Sequence, residues 1–275
     1  MAQIAADGLG LPFEDVDVQY NDTLGTPFGY GTYGSRSAAV GGTALFNAVQ
    51  KVKQKALRIG AHMLEASVDD VVYEDGKVNV KGSPDQAKTI QEIAGTAALG
   101  YSLPEGDEPF LDETAYFDPP NTTWPFGTHI CVVEVEKETG LVNVKRYLAV
   151  DDVGNVINPM IVDGQIHGGI AQGVAQALWE SGEYNESGQL VSGSLMDYAI
   201  PRSDCLPNFE LDRTVTPSPT NPLGVKGVGE TGTIASTPAV VNAVMDALAP
   251  FGVTNLNMPL TSQKVWTAIH KKKGA

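Results

Sequence analysis

The sequence predicts an α+β fold of mixed sheets and packed helices, and three observations carry that expectation. Residues 38–64, AAVGGTALFNAVQKVKQKALRIGAHML, place apolar side chains at helical spacing. Short alternating runs mark hairpins, as in VVYEDGKVNV with Asp75-Gly76 at its centre. Strands and helices then succeed one another without strand–helix–strand regularity, so a purely parallel sheet is not expected. The 275 residues suffice for one domain with a substantial core, with sub-lobes at about 1–110 and 111–275.

In chain order, AQIAADGLGLP predicts a helix ending at Gly8 or Gly10, ahead of Pro12. It has no N-cap residue before its first apolar position. The expectation is therefore a piece of a longer polypeptide, or a subunit that completes another chain. VDVQY, residues 16–20, alternates like a strand, and YGTYGSRS is a glycine and hydroxyl loop ahead of the long helix. After the hairpin, TIQEIAGTAAL (residues 89–99) is a short helix. Residues 100–127, rich in Pro, Asp and aromatics, form a long loop with room for one strand.

HICVVEVEKETGLVNVKRYLAVDDVG holds two strands around Thr139-Gly140. Residues 161–180 form a helix with small residues on one face. EYNESGQLVSG is a further hairpin and FELDRTVTP a strand. STPAVVNAVMDALAP forms a helix with Ser236 or Thr237 as N-cap and Pro238 in its first turn. A last helix covers about 261–272.

The balance of 18 basic against 33 acidic residues gives a net charge of −15, which repels phosphate backbones and argues against nucleic-acid binding. The Lys271–Lys273 run reads as a solvated helix end. Without a run of about 18 apolar residues, no membrane span is expected. The N-terminus shows no signal-peptide pattern. Cys131 and Cys205 lack metal-type spacing; Cys131 lies in an apolar run as a core thiol, and free thiols suit a reducing cytoplasm.

Three glycine-rich segments adjoin helices. In GTYGSRSAAVGG, the Ser35 and Ser37 hydroxyls and the Arg36 guanidinium stand at a helix N-terminus, where free N–H groups and the dipole favour an anion. That pattern fits a phosphate site and equally an ordinary capped helix. In DDVGNVINPMIVDGQIHGGIAQG, Asp151 and Asp152 end a strand as ligands or as loop anchors. Asn158-Pro159 signals a turn, and Gln165 and His167 lie early in the helix. Its glycines permit close approach of a ligand or of another helix. His167 has no second ligand at metal spacing and reads as structural. In GVKGVGETG, Glu230 follows Gly224, Gly227 and Gly229. It is either a general base whose acidity is set by burial or a solvated carboxylate near a helix dipole. With only four histidines and no GxSxG, a Ser/His/Asp hydrolase finds no support.

Taken in order, GTYGSRSAAVGGTA, VDDVGNVINPMIVDGQIHGGIAQGVAQAL and SPTNPLGVKGVGETGTIASTPAVVNAVMDAL resemble the C-terminal part of the molybdenum-binding large subunit of the xanthine dehydrogenase / aldehyde oxidase family. The resemblance is strongest to the aerobic carbon monoxide dehydrogenase-type large subunits. FGTHICVVEVEKETG and SGSLMDYAIPRSDCLPNFE extend it over nearly the whole chain. It implies a C-terminal molybdopterin-binding domain and a molybdopterin cytosine dinucleotide cofactor carrying molybdenum through its own dithiolene. By position, Thr32, Gly34, Ser35, Arg36 and Ser37 would hold the dinucleotide. Asp152, Asn158 and Gln165 would form a second contact region, and Lys226, Val228 and Gly229 would approach the cofactor near the metal. Glu230 would be the active-site base for oxidation of a small substrate: carbon monoxide, an aldehyde or an N-heterocycle.

The resemblance also implies what this chain lacks. Family large subunits are roughly three times longer, and their earlier half carries other cofactor loops, the copper-binding cysteine loop and most of the substrate pocket. The expected partners are that N-terminal half, an iron–sulfur subunit and an FAD subunit. Where many relatives have Asp-Cys-Gly, this chain has Asp152-Val153-Gly154. The competing expectation is a non-catalytic cofactor-binding or assembly fragment.

Overall fold

The structure, a computed structural model, describes residues 1–20, 22–25 and 29–271. Its chain divides into two compact units: Met1–Thr122 with Pro219–Leu223, and Thr123–Ser218 with Gly224–Ala275.

In the first unit, α1 (Ala2–Leu9) stops at Gly10 and packs on α2 (Thr43–Met63), which a wide π-type turn over Ser37–Gly42 precedes. A three-stranded antiparallel sheet follows: β1 (Val71–Glu74), β2 (Lys77–Val80) and β3 (Ser83–Thr89), with β2 central. The β1–β2 connection is the predicted two-residue turn, Asp75 and Gly76 both lying at positive φ. Helix α3 (Ile90–Leu99) starts with a capping box, the Thr89 hydroxyl accepting from Glu92 N–H and the Glu92 carboxylate from Thr89 N–H. Ala56, Ile59, Val71, Val78, Ile93 and Ala97 form the core of this unit.

The second unit is built on a mixed sheet of β4 (Phe126–Val135), β5 (Val142–Asp152) and β6 (Phe209–Thr214), in that order. β4 runs antiparallel to β5, and β6 parallel to it. Helices α4 (Pro159–Leu178) and α5 (Thr231–Leu248) supply Ile166, Ile170, Val174, Val240, Val244 and Leu248 to a core shared with Tyr147 and Ala149 of β5. Helix α6 (Ser262–His270) adds Val265. The stretch Thr231–Phe251 is long and apolar enough to cross a membrane by composition, yet three of its apolar side chains lie in this core.

Four expectations need correction. Residues 16–20 form no strand; Val18 and Tyr20 are exposed, and alternation without a pairing partner does not make a strand. The 183–193 hairpin reduces to one bridge between Tyr184 and Leu190. β3 was not foreseen because SPDQAKT has no apolar alternation; pairing with β2 alone places it. Finally, α5 starts at Thr231, before Ser236 and Thr237, so Pro238 lies inside the helix. There the Thr237 hydroxyl donates to the carbonyl oxygens of Thr233 and Gly173, and that of Ser236 to Gly169. Packing against α4 thus carries the helix through sequence that otherwise reads as its beginning. Lys272 and Lys273 of the basic run lie outside the described residues.

Candidate functional site

Strand alternation sends the last two residues of β5 to opposite faces of the sheet. Asp151 turns inward. Its carboxylate lies 3.2 Å from His129 Nε2, and His129 Nδ1 is 2.9 Å from the Tyr147 hydroxyl. The Asp151 and His129 side chains are almost wholly buried. Burial, with Cys131 and Asp151 nearby, pushes the Tyr147 hydroxyl well above the usual phenol range, against a hydrogen bond with Ser236 of α5.

Asp152 takes the other face and is fully buried. Its Oδ1 accepts from Lys226 Nζ at 2.8 Å and from Gly154 N–H at 3.0 Å, and its Oδ2 from the Thr214 hydroxyl at 3.1 Å. Burial alone would raise the carboxyl; Lys226, Gly154, Thr216 and Thr214 together outweigh it and push it down to about 2. Lys226 Nζ also sits 4.5 Å from the centroid of the Phe126 ring, a cation–π distance.

The loop that carries Lys226 is zipped onto the residues after β5. Gly224 O accepts from Asn155 N–H at 2.9 Å and Ser218 N–H at 3.0 Å. Val225 bridges Gly154, and Lys226 N–H donates to Val153 O at 2.8 Å. Gly154 sits at φ +69°, and a Cβ there would run into the Gly224 carbonyl oxygen. A short turn follows, in which Thr231 N–H donates to Val228 O and the Thr231 hydroxyl to Gly227 O. Glu230 is then the N-cap residue of α5, with no side-chain capping bond of its own. Of the two alternatives for this carboxylate, burial and solvation near a helix dipole, this chain shows the exposed one. Gly229 and Glu230 are exposed, at the end of a helix where the dipole favours negative charge. Val228 is half-buried against the core.

On α4, Asn158 is the N-cap, its Oδ1 accepting from Ile161 N–H at 3.1 Å. Gln165 is exposed on the next turn. The glycines of this helix serve two faces. Gly169 and Gly173 admit the first turns of α5 at distances no Cβ would allow, whereas a Cβ at Gly164 or Gly168 would meet nothing within 4 Å. His167 packs edge-on to Phe209 at 5.6 Å.

In the first unit, the 29–37 loop is open. Thr32 Oγ1 and Ser37 Oγ are 2.6 Å apart, and Arg36 Nη1 donates to the Tyr33 hydroxyl at 2.7 Å with its guanidinium over that ring. Gly34 and Ser35 are both left-handed, at φ +58° and +56°. Arg36 is the residue before the π-type turn, so the loop ends at the N-terminus of a long helix.

Of the predicted site residues in the second unit, the structure brings Asp152 and Lys226 into one ion pair and sets Val228, Gly229 and Glu230 directly after it. Asn158 and Gln165 stand on α4, and Asn158 has a capping role. Sequence reasoning missed Phe126, Thr214 and His129. Thr214 and Phe126 are aligned with Asp152 only through sheet register. His129 did leave a signal, a titratable residue at an inward position of an alternating strand.

The chain matches the molybdopterin cofactor-binding domain over residues 1–207. It is 45% identical over 268 residues to the carbon monoxide dehydrogenase large chain of Hydrogenophaga pseudoflava, covering 98% of this chain and 33% of that one. It is 40% identical over 266 residues to the nicotine 6-hydroxylase large subunit of Paenarthrobacter nicotinovorans, covering 96% and 33%. The reconstituted CO dehydrogenase from Oligotropha carboxidovorans superposes with a TM-score of 0.91 at 40% identity, over 97% of this chain and 33% of that one. The chain therefore spans about a third of the length of these relatives.

Proposed function

Because the chain belongs to the molybdopterin cofactor-binding domain family, we propose that it is the cofactor-binding, base-carrying part of a molybdenum hydroxylase large subunit. The observation that carries this reading is Glu230: an exposed carboxylate at the head of α5, at the end of a loop fixed to β5 by backbone hydrogen bonds. Relatives with matching length over this region are oxidoreductase large subunits, among them a carbon monoxide dehydrogenase and a nicotine hydroxylase.

The residues present fit the cofactor at the loop that precedes α2. In the first unit, Thr32, Ser35, Arg36 and Ser37 set hydroxyls and a guanidinium at a helix N-terminus, the donors a pyrophosphate takes, and the space beside Gly34 is open. When bound, the molybdenum cofactor supplies the centre that takes two electrons from the substrate. Glu230 accepts a proton at a carboxylate oxygen from the attacking water or hydroxide. Gly229 would let the backbone come close to the cofactor, and Gln165 would offer a carboxamide from α4. Asp152 and Lys226 satisfy each other, so their part is in the shape of the loop.

The cofactor is the cytosine dinucleotide form, and the substrate is small: carbon monoxide, an aldehyde or an N-heterocycle. The remainder of the large subunit, an iron–sulfur subunit and an FAD subunit complete the enzyme. Two unpaired cysteines suit a reducing, cytoplasmic setting.

The test uses the complex purified from its source. Molybdenum and CMP released by acid should be present, and Glu230→Gln should keep both while turnover falls by about 10²–10⁴-fold, the usual contribution of a general base. Near-normal turnover in Glu230→Gln removes the base assignment. A purified chain with neither molybdenum nor CMP leaves the non-catalytic fragment.

A further inference from the structure

We propose that the Asp152–Lys226 ion pair is a positioning device for Glu230. The proposal rests on the reading of Glu230 as the base and adds how that carboxylate is held in place. A buried ion pair is an uncertain source of stability, because desolvating both charges offsets much of their attraction. It does fix geometry, since either partner left alone would be a buried, unpaired charge. Here both side chains are buried, Lys226 at 7% exposure and Asp152 at 0%, and further groups crowd the pair: Gly154 N–H, the Thr214 and Thr216 hydroxyls and the Phe126 ring.

The position of the pair gives it leverage. Lys226 precedes Glu230 by four residues. The intervening Gly227, Val228 and Gly229 include two residues with no side chain to lock them. Upstream, the backbone of 224–226 is bonded to 153–155. Downstream, Thr231 closes the turn onto Gly227 and Val228, and α5 is seated on α4 through Gly169 and Gly173. Between these two fixed ends the Lys226 side chain reaches back to the sheet, so the glycines have no slack to let Glu230 wander. The lysine and aspartate act on the carboxylate through the loop, without touching the reacting atoms.

The experiment compares Lys226→Met, Asp152→Asn, the double Asp152→Leu/Lys226→Met and Lys226→Arg in the assembled enzyme, each checked for native molybdenum content. Two quantities are measured: hydrogen exchange at the amides of residues 227–233, and kcat and KM separately. A pair that positions Glu230 makes those amides exchange about tenfold faster in both Lys226→Met and the double variant, by local opening. Turnover falls about 10²-fold with KM changed less than about threefold, the pattern of a misplaced reacting group. Lys226→Arg, which keeps the charge, restores most of both. The double variant leaves neither charge of the pair buried, so it separates positioning from charge burial; if it fails to assemble, Lys226→Arg against Lys226→Met carries the same comparison. Unchanged exchange at 227–233 in Lys226→Met, or a loss confined to KM, overturns the proposal. The exchange readout does not depend on Glu230 being the base. Should Glu230→Gln retain turnover while the exchange still quickens in Lys226→Met, the base reading fails and the clamp stands.

Discussion

The two glycine-rich loops carry the same compositional signal and are held in opposite ways. Around Gly31 and Gly34 of the first unit, added side chains would meet nothing within 4 Å, and Thr32 bonds to Ser37 and Arg36 to Tyr33 within the loop. Around Gly154 and Gly224 of the second unit, backbone lies against backbone and a buried ion pair closes the gap. The first loop leaves open space beside its glycines. The second removes freedom from a single carboxylate. Glycine serves openness in one and close approach in the other, and the letters alone do not distinguish them.

Substitution makes the contrast measurable. Gly154→Ala should cost the most, about 3 kcal/mol, because left-handed strain of about 1–2 kcal/mol adds to a clash with the Gly224 carbonyl that cannot give way. A loss of unfolding free energy, from denaturant titration, of less than a third of that would show the second loop to be as pliable as the first.

Acid titration comes next. The Asp152 carboxyl is held near 2, below its unfolded value of about 4, so its contribution is complete above about pH 4 and is lost as pH falls through about 2. All three tryptophans, Trp124, Trp179 and Trp266, lie in the second unit, so their fluorescence follows that unit alone. Asp152→Asn should flatten the stability slope between about pH 4 and 2; an unchanged slope would remove the ion pair from the account of this loop.

The smallest effect belongs to the open loop. Gly34→Ala should cost only the strain of φ +58°, about 1 kcal/mol, with no clash. A cost matching that of Gly154→Ala would mean that the first loop too is packed against its surroundings.

Much of this was legible because local chemistry decided it. The Asp75-Gly76 turn, the long α2 helix and the short helix after residue 89 follow from a few adjacent residues each. Glu230 stood out by its place after three glycines. What stayed hidden depends on distant partners. Lys226 and Asp152 are 74 residues apart, and nothing near either one names the other. The start of α5 was misplaced for the same reason. Ser236, Thr237 and Pro238 form a convincing helix beginning, but contact with Gly169 and Gly173 of α4 carries the helix upstream of it. The strand expected at 16–20 failed in the converse sense, correct alternation with no neighbouring strand to bond among the described residues.

The adjacent aspartates that end β5 have a consequence for how this sequence can drift over generations. Because neighbours on a strand face opposite ways, sliding β5 by one residue would exchange every occupant of its two faces. Asp151 would arrive where Asp152 had been, so Lys226 would still meet a carboxylate, but Val150 would take the place beside His129. The doubled acid insures one partnership against a slip and leaves the other exposed to it. A point change along this strand alters one face at one position, whereas gain or loss of a single codon there exchanges both faces at once.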